Sequence, residues 1–390
     1  MLPVLIAGGG VGGLTLALAL AQHGIRSRIL EARSAFPTEG AGIQLGPNAT
    51  RLLQRLGVSD ALQKSAVSPD CIIVGDGVAG GKLARLPLGK WIARRHHAPY
   101  WVVHRASLQN ALWWAVRDHP LVSIDFGRPV RAISDLTGLP EINADFDDGE
   151  HVSGAMLVGA DGLWSRVREH INPSMQLAYT GVAAARALIP RRAVERPFGQ
   201  NATGVWLAPS AHVVHYPVDG GDTIAIVAIG SCEEQSEGWN VAVDENVIAE
   251  RFNKMPEAVR ELLGRARGWR QWALFEPQGP NIWHQGRCVL IGDAAHPILP
   301  YLAQGGAMAI EDAVELADAV ATAPDDPASV FPAFARKRKA RVERVQAASI
   351  ANGRAYHLDG IAAAVRNTTL RTVPGQLLMR RYDWIYGYGK

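Results

Sequence analysis

The chain has 390 residues, 48% hydrophobic and 20% charged, which fits a globular protein of two or three domains, or one domain with an insertion. A net charge of +3 is too small to indicate a nucleic-acid partner, and no apolar run reaches the ~18 residues of a membrane span. Three widely spaced cysteines without a CxxC pattern favour buried thiols in a reducing cytoplasm over disulfides or zinc ligands.

The first elements along the chain form a β-α-β unit. Residues 4–7 are a continuous apolar run, typical of a parallel strand buried on both faces. Residues 14–23 follow as an apolar helix ended by Gly24, and residues 28–31 are the next strand. The unit spans about 30 residues, the usual size of a crossover connection.

A glycine pattern of the form G-x-G-x-x-G joins the first strand to the first helix. Gly8 permits the tight turn, Gly10 lets a pyrophosphate approach the backbone, and Gly13 allows the helix to pack closely on the sheet. The helix N-terminus offers free N–H groups to phosphates. Glu31 ends the second strand about twenty residues later, where an acid can accept hydrogen bonds from a ribose. The sequence therefore predicts a dinucleotide site here.

The same pattern recurs at residues 75–80, after the apolar residues 72–74. Gly81 and Pro87 exclude a following helix, and no acidic residue lies at the required distance. We therefore predict a hairpin turn at this second pattern and a single dinucleotide fingerprint in the chain.

Along the rest of the chain the predicted secondary structure changes character twice. Asn48 is a candidate helix cap. Between residues 178 and 230 the sequence predicts mainly strands. Near Cys288 it again predicts a strand followed by a helix, at residues 289–291 and 306–321. We predict an α/β protein in which a mixed β-sheet domain interrupts a Rossmann-type domain and helices end the chain. The expected boundaries are residues 1–70, 101–172 and 285–350 for the Rossmann-type domain, 71–100 and 173–284 for the substrate-binding sheet domain, and 351–390 for the C-terminal helices.

Two further turns follow predicted strands. Asp161 and Gly162 come after one strand, and Asp293 comes after another, which leads through Gln304, Gly305 and Gly306 into a helix. An aspartate at a strand end can accept hydrogen bonds from sugar-like hydroxyls, and a glycine-opened helix start can stabilise negative charge. Each turn alone is equally compatible with a simple capped turn.

Together and in this order, the three turns resemble those of the single-component flavoprotein aromatic hydroxylases, the p-hydroxybenzoate hydroxylase superfamily. The resemblance covers essentially the whole chain and implies an FAD site within the Rossmann-type domain. The residues that it assigns to cofactor binding are Gly8, Gly10, Val11, Gly13, Glu31, Arg33, Arg105, Asp161, Asp293, Gly305 and Gly306.

Further segments are similar to the branch that holds salicylate 1-hydroxylase, 3-hydroxybenzoate 6-hydroxylase and 6-hydroxynicotinate 3-monooxygenase. These segments are residues 300–305, 212–217 and 383–387. One segment departs from the family pattern, because residues 275–280 replace a stretch that usually carries an arginine. Any substrate or flavin contact made by that arginine is therefore in doubt.

The resemblance implies a reaction in which NADH or NADPH reduces FAD and dioxygen forms a flavin hydroperoxide that hydroxylates a small aromatic acid. Attack on a phenol ring is aided by a base. The resemblance matches His212 to that base and Tyr216 to a substrate contact, and Gln304 is a candidate ligand of the substrate hydroxyl or carboxylate. On a strand His212, Val214 and Tyr216 share one face. The alternative for His212 is an ordinary hydrogen-bonded sheet histidine.

Other functions stay open at this point. Decarboxylative hydroxylation of a hydroxynicotinate-type acid competes with simple hydroxylation. A non-catalytic FAD-binding protein and a flavin-free NAD-dependent dehydrogenase are alternatives of a different class. We expect no metal, no nucleic acid and no membrane among the partners. A homodimer is implied only by the resemblance, because members of the family are often dimers.

Overall fold

A computed structural model describes residues 2–37, 40–135, 141–195, 197–233, 238 and 240–389. The first part of the chain builds a crossover unit and then a run of short elements. Their bounds are β1 Val4–Ala7, α1 Val11–Gln22, β2 Ser27–Glu31, β3 Gly42–Leu45, α2 Pro47–Arg55, α3 Ser59–Gln63, β4 Cys71–Asp76, β5 Lys82–Pro87, α4 Gly89–His96, β6 Trp101–His104, α5 Arg105–Val116 and β7 Val122–Phe126.

The middle of the chain is dominated by strands. Its elements are β8 Ala132–Asp135, β9 Ile142–Asp145, β10 His151–Gly154, β11 Met156–Gly159, α6 Arg166–Ile171, β12 Gln176–Pro190, β13 Ala202–Ala208, β14 Ala211–Val218, β15 Thr223–Ser231, β16 Val241–Ala242, α7 Glu245–Arg251, α8 Glu257–Arg265 and β17 Arg267–Gln278. The last part returns to helices, with β18 His284–Gln285, β19 Cys288–Leu290, α9 Gly305–Ala321, α10 Phe331–Tyr356, α11 Gly360–Thr372, α12 Gly375–Arg380 and α13 Asp383–Tyr386.

The strands form two large sheets. The first has the order β18-β19-β11-β1-β2-β7, and all of its pairings except that of β18 with β19 are parallel. The second has the order β16-β17-β12-β15-β14-β13-β4-β5. A three-stranded sheet of β8, β9 and β10 and the pair of β3 and β6 account for the other strands of the described residues. The eight-stranded sheet therefore draws β4 and β5 from a stretch of chain far from its other strands.

The second glycine pattern lies in this sheet. β4 and β5 pair in antiparallel fashion, and the glycines lie at the turn between them. The prediction of a hairpin is therefore confirmed. The first helix begins at Val11, three residues before the predicted start, because the helix opens directly from the glycine turn.

Asn48 does not cap a helix, so that prediction is wrong. α2 begins at Pro47 with Gly46 as its cap, and Asn48 lies in the first turn with its side chain fully buried. A proline at the first helical position sets the start of the helix by its fixed φ, and this signal outweighs the capping preference of Asn48.

The eight-stranded sheet has two different faces. One face packs on α7 and α8 through a core that includes Val213, Ile226 and Val259. The other face carries Val214, Val227 and Ile229 and looks toward the first sheet. The alternation of side chains along the strands thus separates a structural face from a cavity-facing one. The helices of the described residues are all too short or too polar to cross a bilayer.

The turn from β1 to α1 is unusually tight. Gly8 has φ of +99°, and a Cβ built on it would lie 2.6 Å from the Ala160 carbonyl oxygen. A Cβ on Gly13 would lie 2.0 Å from the carbonyl oxygen of Gly8, whereas a Cβ on Gly12 meets nothing closer than 3.5 Å. The sequence-based prediction that Gly13 permits close packing of helix on strand is consistent with this geometry.

We expect the Gly13→Ala variant to unfold at lower urea concentration, with a loss of about 1–3 kcal/mol, because the added methyl overlaps a backbone oxygen that cannot retreat. The matched control is Gly12→Ala in the same helical turn, which should be neutral or stabilising by up to about 1 kcal/mol. Urea unfolding of the flavin-free protein measures both values. Equal stabilities of the two variants would show that the helix can shift to accept a side chain at Gly13.

Candidate functional site

A cavity of about 620 Å³ lies between the carboxyl end of the first sheet and the open face of the eight-stranded sheet. This volume is in the range of cofactor and ligand pockets. Its walls come from the turns after β1, β11 and β19, from the end of β2, from β3, and from β12, β14, β15 and β17. β1, β11 and β19 are neighbouring parallel strands, so their following turns meet at one edge of the sheet.

The turn after β1 provides a cradle of backbone. Gly8, Gly10 and Val11 line the cavity, and a Cβ on Gly10 would meet nothing within 4 Å. Gly10 precedes the first turn of α1, whose free N–H groups and partial positive charge suit a phosphate. Open space beside glycine backbone at a helix N-terminus fits the pyrophosphate of a dinucleotide.

Glu31 is fixed at the end of β2. Its Oε2 accepts a hydrogen bond from the Gly9 N–H at 2.7 Å, and its Oε1 accepts one from the Arg33 N–H at 2.9 Å. The carboxylate lines the cavity although the residue is only 4% exposed. Each carboxylate oxygen keeps a lone pair for a further donor, which an adenosine ribose would supply.

Two arginines flank this cradle. Arg33 and Arg105 line the cavity, and both also line a smaller recess beside Gly10 and Val11. Burial lowers the pKa of Arg105, and the Asp293 carboxylate opposes this effect. Two guanidinium groups next to a helix N-terminus give this end of the cavity a positive potential suited to phosphates.

The turn after β11 presents an unsatisfied carboxylate oxygen. Oδ2 of Asp161 accepts hydrogen bonds from the backbone N–H groups of Arg166 at 2.8 Å and Val167 at 3.3 Å. Oδ1 is buried and has no hydrogen-bond partner within the described residues. Burial raises the pKa of Asp161, against the hydrogen bonds that lower it. Because Asp161 lines the cavity, this oxygen is available to accept a hydrogen bond from a hydroxyl or N–H group of a bound ligand.

The turn after β19 brings Asp293 to the start of α9. Asp293, Gly305 and Gly306 all line the cavity. A Cβ on Gly305 would lie 3.9 Å from Asp293 Oδ1, and a Cβ on Gly306 would lie 2.5 Å from the Ile43 side chain. The N-terminus of this 17-residue helix therefore faces the cavity, and the Ile43 side chain packs close to Gly306. All of the predicted cofactor-binding residues except Gly13, which lies behind the turn, line one cavity.

A buried cluster of charges lies behind the third turn, the one between β19 and α9. Glu311 and Asp312, consecutive on α9, are both fully buried, and so is Arg338 of α10. Arg338 donates to Asp312 at 2.6 Å and to Glu311 at 2.8 Å. Burial alone would raise the pKa of Asp312, but His296 and Arg338 hold it well below the usual value. Asp312 therefore stays ionised at neutral pH.

The cluster reaches the cavity lining at two points. Asp312 Oδ2 accepts a hydrogen bond from the Gly292 N–H at 2.9 Å, next to Asp293. Glu311 accepts one at 2.8 Å from the side-chain amide of Asn48. The same amide donates at 3.0 Å to Gln304, the residue before α9. These contacts connect both ends of the third turn, which runs from β19 to α9, to the buried ion pairs that Arg338 forms with Glu311 and Asp312.

The sheet wall of the cavity is mostly apolar. Val214, Val227, Ile229, Trp272 and Leu274 line it, and they form a surface suited to an aromatic ring. Tyr216 also lines this wall, and its hydroxyl donates to the Gly42 carbonyl oxygen at 2.8 Å. Burial raises the pKa of Tyr216 far above its ordinary value, so it stays a neutral phenol.

Arg186 of β12 adds one positive charge to this wall. It is 9% exposed, lines the cavity, and donates to the Asn240 side-chain oxygen at 2.8 Å. Its guanidinium lies 5.5 Å from the centre of the Trp272 ring. Sequence reasoning missed Arg186, although a lone arginine within the apolar run of residues 182–189 is a signal that could have pointed to it.

The structure does not bring all three proposed catalytic residues into the cavity lining. His212 shares the sheet face of Val214 and Tyr216, but it is not among the residues that line the cavity. Its ring packs against Tyr301 and Tyr356. The side chain of Gln304 is 2% exposed and is directed to Asn48. Tyr216 alone of the three lines the cavity.

No group of three or more residues that could hold a metal ion is found among the described residues. The three cysteines are buried.

Comparisons with known proteins agree with this geometry. A family model described as an FAD binding domain matches residues 1–349. The chain is 35% identical to 3-hydroxybenzoate 6-hydroxylase 1 of Aquipseudomonas alcaligenes, over 98% of this chain and 97% of the relative. It is 30% identical to 6-hydroxynicotinate 3-monooxygenase of Bordetella bronchiseptica, over 99% of this chain and 94% of the relative.

Solved structures show the same fold. HpxO of Klebsiella pneumoniae, crystallised with FAD and uric acid, superimposes with a TM-score of 0.85 at 22% identity, covering 99% of this chain and 96% of that one. A salicylate hydroxylase substrate complex superimposes with a TM-score of 0.82 at 23% identity, covering 99% of this chain and 95% of that one.

We expect the Asp312→Asn variant to lose about 3 kcal/mol of unfolding free energy, because it leaves part of the buried Arg338 charge uncompensated. FAD should bind at least about tenfold more weakly, since the Gly292 N–H loses a charged acceptor. Urea unfolding and fluorescence titration with FAD measure the two effects.

The control is Asp318→Asn on the same helix. Asp318 is 39% exposed and pairs with Arg55 and His23 at the surface, so its loss should cost less than about 1 kcal/mol and leave FAD affinity unchanged. If the two variants bind FAD equally well, the buried cluster does not position the third turn.

Proposed function

The chain belongs to the FAD binding domain family and is an FAD-dependent monooxygenase, and we propose that it hydroxylates a small phenolic or heteroaromatic carboxylic acid with NADH or NADPH and dioxygen. The observation that carries the proposal is one cavity whose described lining combines glycine backbone at the start of α1 with an apolar, aromatic sheet wall that carries Arg186. Relatives of 30–35% identity, named for hydroxybenzoates and hydroxynicotinate, support this substrate class. A cytoplasmic location belongs to the same proposal.

The residues present fit FAD. Gly10 and the start of α1 would hold its pyrophosphate, Glu31 its adenosine ribose, and Asp161 and Asp293 hydroxyl or N–H groups elsewhere on it. When bound, FAD supplies the transfer of electrons from the reduced nicotinamide and the activation of dioxygen. The N-terminus of α9 at Gly305 and Gly306 would stabilise negative charge on the reduced cofactor.

The sheet wall would orient the substrate. Its apolar side chains exclude water from one side of the cavity, and Trp272 adds an aromatic side chain to the lining. Arg186 is the only charged residue that this sheet contributes to the cavity lining within the described part of the chain. We assign it to the substrate carboxylate, because a guanidinium binds a carboxylate through paired hydrogen bonds.

His212 stays our proposed base for the substrate phenol, and Tyr216 a substrate contact. Support for His212 comes from its sheet face, which it shares with two cavity-lining residues. For Gln304 the proposal is limited to its amide nitrogen, since its oxygen accepts a hydrogen bond from Asn48. A phenol that loses its proton becomes a more electron-rich ring, which favours the attack of an electrophilic oxygen.

The substrate assignment is tested with a panel of hydroxylated benzoates and hydroxylated pyridine carboxylic acids. We expect at least one acid to stimulate NADH or NADPH oxidation by the flavin-loaded enzyme and to gain one oxygen atom from labelled dioxygen. Product mass separates simple hydroxylation from the decarboxylative route. If no acid of either class stimulates oxidation or is converted, the proposed substrate class is wrong.

We expect the Arg186→Gln variant to raise KM for 3-hydroxybenzoate on the order of 10- to 100-fold, because a charge-assisted contact is worth about 1.5–3 kcal/mol. KM for 3-hydroxybenzyl alcohol, which lacks the carboxylate, should change less than about threefold. Steady-state kinetics on both compounds measure the difference.

The matched control is Arg270→Gln. Arg270 lies opposite Arg186 on the neighbouring strand and is half-buried, but it does not line the cavity. Its loss should leave both KM values near those of the unmodified enzyme. Equal changes for the acid and the alcohol in Arg186→Gln would contradict the carboxylate assignment.

A further inference from the structure

The second half of the third turn, residues 297–303, reaches the cavity without belonging to a sheet. Pro297, Leu299 and Ala303 are among its residues that line the cavity. The side chain of Leu299 also packs on the apolar cluster of the sheet wall. Two of the seven residues are prolines, which have no backbone N–H, so this segment has fewer N–H donors than carbonyl acceptors. We call residues 297–303 the cavity loop.

Three side chains of α10 donate hydrogen bonds to carbonyl oxygens of the cavity loop. The three pairs are Gln346 with Pro297 at 3.0 Å, Ser349 with Leu299 at 2.6 Å and Asn352 with Tyr301 at 3.4 Å. The donors are spaced three positions apart, which places them along one side of a helix, and the acceptors are spaced two positions apart. We call the three donors the donor row of α10.

The donor row lies in the interior. Ser349 is fully buried, and Asn352 is 6% exposed. Gly353, the next residue, leaves room for the ring of Tyr301, because a Cβ on Gly353 would lie 2.6 Å from that ring. The Tyr301 ring packs on the same apolar cluster of the sheet wall as Leu299. α10 therefore sets both the height of the loop backbone and the place of its aromatic ring.

Asn352 is itself held by the C-terminal part of the chain. Nη2 of Arg381 and the hydroxyl of Tyr382 each donate to its Oδ1 at 3.0 Å. Because both donors occupy the oxygen, the amide nitrogen faces Tyr301. Arg381 and Tyr382 lie between α12 and α13, and neither belongs to the described lining of the cavity. A chain of contacts thus runs from the C-terminal segment through Asn352 to the cavity loop.

We propose that the donor row of α10 positions the cavity loop against the sheet wall, and that Arg381 and Tyr382 contribute to this position through Asn352. The members of the row do not touch the substrate, so they are positioning residues. This inference rests on the proposed function for its consequence. A loop held at a fixed height keeps the ring of the bound acid in place for oxygen transfer.

The consequence concerns the fate of the oxygen atoms. The reduced nicotinamide gives two electrons to one dioxygen molecule in either case. When the ring is in place, one oxygen atom enters a ring C–H bond to form the hydroxyl group, and the other leaves as water. When the ring is displaced, both atoms leave as hydrogen peroxide. The share of nicotinamide oxidation that ends in hydroxylated product therefore reports the position of the loop.

A purely structural role is the alternative. In that case the donor row joins α10 to the loop and adds to the stability of the fold. Its loss would lower stability, but the share of hydroxylated product would not change in the folded enzyme. This share therefore separates the two roles.

The first measurement is hydrogen exchange of the flavin-loaded protein without substrate, followed by mass spectrometry. In Ser349→Ala and in Tyr382→Phe we expect the backbone N–H groups of residues 298–304 to exchange about two- to tenfold faster, the value of one lost hydrogen bond. Gln346→Ala removes another member of the row and replaces Ser349→Ala if that variant does not fold.

The second measurement is the share of hydroxylated product, with 3-hydroxybenzoate as the first probe and otherwise the acid of the panel that is converted. In the same variants we expect this share to fall at least about twofold, with hydrogen peroxide making up the difference. The rate of nicotinamide oxidation should change less than about threefold, because the row does not touch the reacting groups.

The matched control is Thr50→Val. Thr50 is fully buried on α2, and its hydroxyl donates to the Pro99 carbonyl oxygen at 2.7 Å, outside the described lining of the cavity. This variant also loses a buried hydrogen bond from a hydroxyl to a carbonyl oxygen. It should unfold at lower urea concentration, while the exchange of residues 298–304 and the share of product stay at the unmodified values.

Unchanged exchange in Ser349→Ala would overturn the positioning role, and so would faster exchange with an unchanged share of product. Unmodified values in Tyr382→Phe alone would overturn the link to the C-terminal segment. If the unmodified enzyme converts no acid of the panel, the proposed function fails and the consequence for oxygen transfer fails with it. The exchange rates then still decide whether the donor row holds the cavity loop.

Discussion

The meeting of three parallel strand ends at one edge of the first sheet is the constraint on which the rest of the structure depends. β1, β11 and β19 are adjacent, and each is followed by a turn that lines the same cavity. The turns can approach one another only because glycine backbone replaces side chains, as the 2.6 Å separation between a Cβ on Gly8 and the Ala160 oxygen shows. Open α/β sheets bind ligands at such carboxyl ends. The proposed cofactor site is therefore set by strand order and by the absence of a few side chains.

The eight-stranded sheet supplies the wall opposite this edge. Its open face supplies apolar walls and Arg186, while its other face is covered by α7 and α8. Strand alternation assigns neighbouring residues of β14 to opposite roles, so that Val213 stabilises the core and Val214 lines the cavity. The buried carboxylates of α9 then fix the third turn relative to α10. The proposed substrate wall, the three turns proposed to hold the cofactor and the buried charges thus share a few elements.

Local signals in the sequence predicted much of this arrangement. The glycine turn, the place of Glu31 at the end of β2 and the hairpin at residues 75–80 were predictable because each depends on neighbours within about 25 residues. The contact of Asn48 with Glu311 and the ion pair of Asp312 with Arg338 could not, since each joins side chains of separate helices and follows no spacing rule. His212 illustrates the same limit. Its strand face was predictable from alternation, whereas its partner His357 lies 145 positions away.

The central claim is that the three turns hold one FAD in common. Titration of the flavin-free protein with FAD, followed by quenching of the flavin fluorescence, tests this claim most directly. We expect saturation at one FAD per chain and a yellow complex that releases intact FAD on denaturation. A protein that stays colourless and leaves added FAD unquenched at micromolar concentration would contradict the shared site and the oxygenation chemistry assigned to it.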